Sequence, residues 1–279
     1  MSEGPKKATP LQGSVANDNV DALASQVLTV VASRSPHNAA KVYNRLVQQL
    51  VEGVRSMERG AQDAALQELR RYGCTPTDIA DIYIPAAARV LGDEWCRDEV
   101  SFADVTIGTA RLQGMLRDLE REWMLEQPKM PANGPSIAIV CEDDFHTLGS
   151  MVIAGQMRRV GASVRLLLGL TMSERMEIFR EHSFDIVMIS ATRTENLETT
   201  RKLVKNIRTT CENRLPIVVG GTVIEHNINV KALTGADHVM NDPKEALELC
   251  GLKTHHQGGG LSEIRSLTTQ KALMSDSDR

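Results

Sequence analysis

The sequence has no apolar run long enough to span a bilayer. It also has no basic stretch followed by an apolar one at its start. The expectation is a soluble, cytoplasmic protein without a secretory signal and with no membrane contact. Positive charge is not in excess either: the formal net charge of −4 and a pI near 6.0 argue against an electrostatic nucleic-acid footprint. Nor is there a cysteine pattern. Cys74, Cys96, Cys141, Cys211 and Cys250 are odd in number and widely spaced. They form neither a zinc motif nor a disulfide framework, and they suit a reducing compartment. Internal repeats are absent as well. What remains is a chain of 279 residues, enough for two domains that each bury a core.

The pattern changes once along the chain. Residues 1–18 are polar and rich in Gly, Pro and Lys, and disorder is expected there. Residues 19–127 read as a helical bundle of four or five helices. Ser35-Pro36 supplies a cap and a proline at the first helical position, and Val42, Leu46, Leu50 and Val54 follow at helical spacing. That helix is expected to end at Arg59-Gly60. A second covers 61–72, a third starts at Thr75-Pro76-Thr77-Asp78, and a fourth covers 101–124 with Ser101 as its cap. The segment 128–135, rich in proline, reads as a linker.

From residue 136 to 252, strands and helices alternate. Strands are expected at 136–141, 163–170, 185–191, 216–220 and 237–241, and helices at 149–160, 173–182, 195–210, 224–234 and 243–250. Near-continuous Val/Ile/Leu runs suit a parallel sheet covered on both faces. The fold class is therefore α/β: an N-terminal helical bundle followed by a flavodoxin-like (Rossmann-like) domain with a five-stranded parallel sheet. Ligands of such domains bind at the strands' carboxyl ends. The tail, 253–279, is polar and holds Gly258-Gly259-Gly260, so disorder is expected again.

Three segments fall at carboxyl ends of neighbouring strands. They are Asp144-Phe145-His146-Thr147-Leu148-Gly149, Ser190-Ala191-Thr192 and Gly220-Gly221-Thr222. An imidazole with a carboxylate two residues earlier suits a metal-containing ligand, because metal-ligating His needs its second nitrogen oriented. Gly149 would let a bulky group approach the backbone. Blander roles stand beside these. Asp144 can cap the next helix, Ser190 and Thr192 can satisfy backbone groups, and Gly220-Gly221 can mark a tight turn. Trp95 can belong to the bundle core and Phe102 can pack at a helix start. Cys96 is more readily inert than a thiolate ligand, and His255-His256 lacks supporting ligands.

Asp-x-His-x-x-Gly, then Ser-x-Thr, then Gly-Gly, over roughly 135–250, resembles the cobalamin-binding domain of methionine synthase and corrinoid proteins. The resemblance implies cobalamin as cofactor and His146 as lower axial ligand to cobalt. It further implies Asp144 as the imidazole's partner and Ser190 as the next link, with Thr192, Gly149, Gly220 and Gly221 lining the groove for the displaced nucleotide tail. The stretch from Gly92 to Thr106 resembles the bundle that caps the corrin's upper face. In light-sensing adenosylcobalamin regulators, Trp is followed by His, and a Glu-His pair comes ten positions later. Here Trp95 is followed by Cys96, and the pair is Val105-Thr106. These departures favour hydroxide, water or methyl over adenosyl as the upper ligand.

Together with Ser101-Phe102-Ala103-Asp104-Val105-Thr106, the cap looks like the AerR/PpaA group of photosynthesis regulators. That resemblance implies a cobalamin-binding antirepressor, not an enzyme. Its partner would be a DNA-binding transcriptional repressor of photosystem genes, and its input light or B12. No winged-helix module precedes the bundle, and direct DNA contact is left open. Two further readings use the same motifs: a corrinoid carrier for a methyltransferase, and a haem sensor on the same scaffold.

Overall fold

The computed structural model describes residues 36–126, 134–143, 146–226 and 228–253. The cap at Ser35, the helical pattern before it, residues 127–133 of the linker region and the expected disorder at 1–18 and 254–279 lie outside the described residues. The chain divides into two compact units, Met1–Thr109 and Ala110–Arg279, so the last helix of the bundle region contributes to both.

In the first unit, α1 spans Pro36–Arg55 and α2 spans Ala61–Arg71. Leu46, Leu50 and Val54 of α1, with Val47 and Val51, form one apolar stripe and are all buried. Helix α1 stops at Arg55, four residues short of the expected end. The Ser56 hydroxyl accepts the Glu58 N–H at 3.1 Å, a local bond that competes with continuing the helix. The α1–α2 approach is close at Gly53, where an added Cβ would lie 2.8 Å from the Ala65 Cβ.

Helix α3, Pro76–Asp78, opens with reciprocal capping. Asp78 N–H donates to the Thr75 hydroxyl at 3.1 Å, and Thr75 N–H donates to the Asp78 carboxylate at 2.9 Å. It runs through a π-helical turn, Ile79–Tyr83, into α4, Ile84–Cys96. Pro85 sits just beyond the wide turn. A proline within a helix lacks an N–H and crowds the preceding turn, and a local π adjustment accommodates it. Helix α5, Phe102–Glu126, starts with the same capping exchange between Ser101 and Asp104. Those hydrogen bonds from Ser101 hold the Asp104 carboxyl below its ordinary range.

The second unit is a five-stranded, all-parallel sheet in the order β2-β1-β3-β4-β5. The strands are β1 Ser136–Cys141, β2 Ser163–Leu167, β3 Ile186–Ser190, β4 Ile217–Gly220 and β5 His238–Val239. The helices are α6 Leu148–Arg159, α7 Met172–Glu181, α8 Leu197–Thr210, α9 Val230–Thr234 and α10 Pro243–Leu249. This is the flavodoxin-like order anticipated from the alternation. Strand periodicity sorts the core into two layers. Ala138, Val140, Val187, Ile189, Ile217 and Val219 pack with α7 and α8. Ile137, Ile139, Ile186, Met188 and Val218 pack with α6 and α10.

Several elements are shorter than their apolar runs. Beyond β2 the chain turns at Gly169, whose φ is +63°. The helix expected from 224 is only Val230–Thr234, because the Asn229 side chain accepts the Ala232 N–H and starts it there. Residues 222–225 form a 3-10 turn instead. β5 ends at Val239, since Asn241 turns its side chain to the Gly221 N–H and Asp242 caps α10 by accepting the Lys244 N–H.

Asp237 ties this side of the sheet together. It accepts the Ile217 N–H at 2.8 Å and the Arg208 guanidinium at 2.8 Å. Although burial opposes it, those hydrogen bonds hold the Asp237 carboxyl below its ordinary value. Its stabilisation is therefore present above the ordinary carboxylate range and is lost as pH falls through the folded pKa. The side chain is 37% exposed, so screening discounts the ion pair. Asp237→Asn is expected to cost about 1 kcal/mol at neutral pH. Urea midpoints for both proteins should converge as the pH is lowered into the acid range.

Candidate functional site

The loop that follows β1 carries His146. Asp144 and Phe145 lie outside the described residues, so the expected Asp144 contact is not part of this geometry. The carboxylate that meets the imidazole here is Asp143: its Oδ2 lies 2.8 Å from His146 Nδ1. Their backbones meet as well, with the His146 N–H donating to the Asp143 carbonyl at 3.2 Å. The Cys141 thiol donates to the same carbonyl at 3.1 Å. An ionised carboxylate only accepts, so this pairing places the proton on Nδ1 and leaves a lone pair on Nε2. Asp143 is nearly enclosed, at 10% side-chain exposure, while the imidazole is 47% exposed. The ring is fixed at one nitrogen and accessible at the other. Arg193 Nε, 3.8 Å from Asp143 Oδ2, adds a cation near the same carboxylate oxygen. Sequence reading chose the carboxylate two positions before His. Asp143, three positions before it, is a further carboxylate that sequence reading did not name.

The other two segments lie on adjacent strands. Cys141, Ser190 and Gly220 stand side by side in register across β1, β3 and β4. Ser190, Gly220 and Gly221 line a narrow cleft of about 40 Å³, open to solvent, whose lining includes Ile139, Met188 and Val218. Thr192, Gly149 and His146 do not line that cleft. Thr192 accepts the Thr222 hydroxyl at its carbonyl, at 2.9 Å, and its own Oγ1 is buried with no hydrogen-bond partner among the described residues. The same holds for Ser150 Oγ in the first turn of α6.

The glycines differ in kind. Gly221 has φ +103°, and a Cβ there would fall 2.2 Å from the Ala191 carbonyl oxygen. Its N–H donates to Asn241 Oδ1 at 2.7 Å. At Gly220 a Cβ would fall 2.6 Å from the Met240 carbonyl oxygen, whereas at Gly149 nothing lies within 4 Å. The first two close a tight turn against protein, and the third leaves open space on α6.

Trp95, in the first unit, is not core. It is 45% exposed, with its ring 6.2 Å from that of Phe102, which is 65% exposed. Cys96 is exposed and Val105 half-buried, while Thr106 gives its hydroxyl proton to the Phe102 carbonyl. Sequence reasoning also missed Glu142, whose carboxylate is buried one residue before Asp143. Burial pushes it up, against the pull of Arg175 and a hydrogen bond from Thr200.

The donor set fits a metal held by its own macrocycle. Among the described residues, no three His, Cys, Asp or Glu side chains converge as a free-ion site. One oriented imidazole with an open Nε2 supplies a single axial bond. The apolar cleft and the unpartnered Ser150 and Thr192 hydroxyls suit a long ligand with polar groups. Among the described residues, no helix is long and apolar enough to cross a membrane.

Comparisons with known proteins agree with this chemistry. The family profile of the B12 binding domain matches residues 135–250. An uncharacterized 20.5 kDa protein in the bchF-crtJ intergenic region of Rhodobacter capsulatus is 31% identical over 180 residues, covering 64% of this chain and 94% of the relative. Among solved structures, the monomethylamine corrinoid protein of Methanosarcina barkeri matches at a TM-score of 0.55 and 16% identity, covering 75% of this chain and 94% of that one. A novel cobalamin-binding protein from Desulfitobacterium hafniense DCB-2 gives a TM-score of 0.37 at 17% identity, with 75% and 97% covered. At 16% identity the likeness to the monomethylamine corrinoid protein speaks to the fold alone. From its motifs, its sheet and its relative in the bchF-crtJ region, the chain belongs to the B12 binding domain family and within it is most like the AerR/PpaA-type proteins.

Proposed function

We propose that the protein is a cobalamin-dependent transcriptional regulator. In this reading it is an antirepressor of photosynthesis genes that responds to light or B12 and acts through a DNA-binding repressor. The observation that carries it is the oriented imidazole: His146 Nδ1 held by Asp143 at 2.8 Å, with Nε2 left accessible, at the carboxyl end of β1. Cobalamin, when bound, would supply a cobalt centre with exchangeable ligands, and His146 would hold it through Nε2. Asp143 keeps the proton on Nδ1 and makes Nε2 the donor. Ser190, Gly220 and Gly221 receive the tail in their cleft, with Thr192 and Gly149 beside it. The bchF-crtJ location of the relative supports a role in photosynthesis gene control, and the net charge of −4 suits action through a protein partner. The ligand state can shift the protein only by its difference in affinity between two conformations.

The test is reconstitution of the full chain with hydroxo-, methyl- and adenosylcobalamin in the dark, followed by spectra before and after illumination. An imidazole-ligated cobalt spectrum that changes on illumination is the expected result. So is preference for the smaller upper ligands. Trp95→Ala should change the ratio of affinities for hydroxo- and adenosylcobalamin more than the total binding. Unchanged ratios would remove Trp95 from the cap. Robust methyl transfer from methylcobalamin-loaded protein would favour a corrinoid carrier, and a haem spectrum in place of a cobalt one would favour a haem sensor.

A further inference from the structure

A buried polar cluster lies at the carboxyl end of β1, directly before the turn that holds His146. The Glu142 side chain has no exposed surface and that of Arg175, on α7, has 9%. Arg175 Nη1 stands 3.7 Å from Glu142 Oε1, and its Nη2 donates to the Cys141 carbonyl at 3.1 Å. From α8, the Thr200 hydroxyl donates to Glu142 Oε2 at 3.4 Å. The Glu142 N–H donates to the Ser190 carbonyl at 3.2 Å, which continues the β1–β3 ladder by one residue. The Cys141 thiol then reaches forward to the Asp143 carbonyl. Two successive residues, Cys141 and Glu142, are thus held from α7, α8 and β3 before the chain reaches His146.

Stability does not explain the cluster. Glu142 Oε1 and Arg175 Nε make no hydrogen bond among the described residues, and 3.7 Å is too long for one between the charged groups. A buried ion pair so incompletely satisfied costs more in desolvation than it returns. Apolar replacement of both partners is often neutral or stabilising. A fully enclosed polar contact does restrict geometry, because few backbone arrangements keep its groups paired.

We infer that Glu142 and Arg175 are positioning residues for His146. They clamp the end of β1 so that Asp143 Oδ2 meets Nδ1 while the imidazole stays half-exposed. Neither side chain touches the imidazole. The inference rests on the reading of His146 as the cobalt ligand and adds two residues, outside the Asp-x-His-x-x-Gly motif, on which that ligand depends.

The experiment uses the full chain with Glu142→Gln, Arg175→Met and the double replacement Glu142→Leu/Arg175→Met. In cofactor-free protein, thermal midpoints are measured together with hydrogen exchange at the His146 amide, which donates to the Asp143 carbonyl. Each single replacement should speed that exchange about tenfold, the equivalent of one lost hydrogen bond. The double replacement should recover the wild-type midpoint without recovering the protection. Loaded with hydroxocobalamin, it should show a larger fraction of cobalt lacking the imidazole ligand than wild type. A double variant with native protection and a native cobalt spectrum would overturn the positioning role. If wild-type protein shows no imidazole-ligated cobalt, the ligand reading fails by itself. The exchange comparison then still decides whether the cluster sets the turn.

Discussion

Replacing His146 by alanine is expected to weaken cobalamin binding by about a hundredfold or more while leaving the unfolding midpoint nearly unchanged. Both halves follow from the geometry. The imidazole is half exposed, so little packing is lost, and the enclosed Asp143 keeps the Arg193 cation 3.8 Å away. In the proposed reading, by contrast, Nε2 is the donor that the described residues offer to cobalt. Losing the partner of a metal-ligating His usually costs 10–100-fold in affinity, and losing the ligand costs at least as much. Asp143→Ala should therefore fall between wild type and His146→Ala. Titration with hydroxocobalamin, read from the cobalt spectrum, checks the order. An unchanged spectrum in His146→Ala would contradict the ligand assignment, and an unchanged affinity in Asp143→Ala would return the orienting role to Asp144.

Gly221→Ala should have the largest effect on stability. At φ +103° and ψ 179°, the residue occupies a region open essentially to glycine alone. Its added Cβ would also fall 2.2 Å from the Ala191 carbonyl oxygen, which belongs to backbone and cannot swing away. Strain and clash together are expected to cost about 3–5 kcal/mol. That lowers the midpoint of the second unit by roughly 10–20 °C. The turn also floors the cleft, so tail binding should weaken in whatever fraction folds. Gly149→Ala is the control: nothing lies within 4 Å of its Cβ, and alanine is the better helix former there. Its stability should hold or rise by up to about 1 kcal/mol, while room for a bulky ligand shrinks. Equal midpoints for Gly221→Ala and wild type would rule out the strained turn.

The second unit was legible because its strands are apolar on both faces and its turns are marked by polar and glycine residues. The strand order and the side-by-side placement of Cys141, Ser190 and Gly220 came out as anticipated. Element ends did not, because an apolar run says where burial continues and not where hydrogen bonding stops. Ser56, Asn229 and Asn241 each end or start an element through a side-chain bond to a backbone amide, a choice visible only once the partner is in place. Trp95 shows the opposite limit. Its helical spacing allowed a core position, and only the fold shows its ring outside, against Phe102.

By itself, then, the sequence determined the class of the protein. Alternation of strand and helix gives the doubly wound sheet, and three short motifs at strand ends identify the family's cofactor chemistry. The tertiary structure decided how each motif residue acts. It pairs His146 with Asp143, separates the strained Gly221 from the open Gly149, and buries Glu142 and Arg175 together at the end of β1. Motifs are read along the chain, where spacing is fixed by covalent geometry. Orientation, strain and burial depend on groups far apart in sequence, and those meet only when the sheet and its helices have packed.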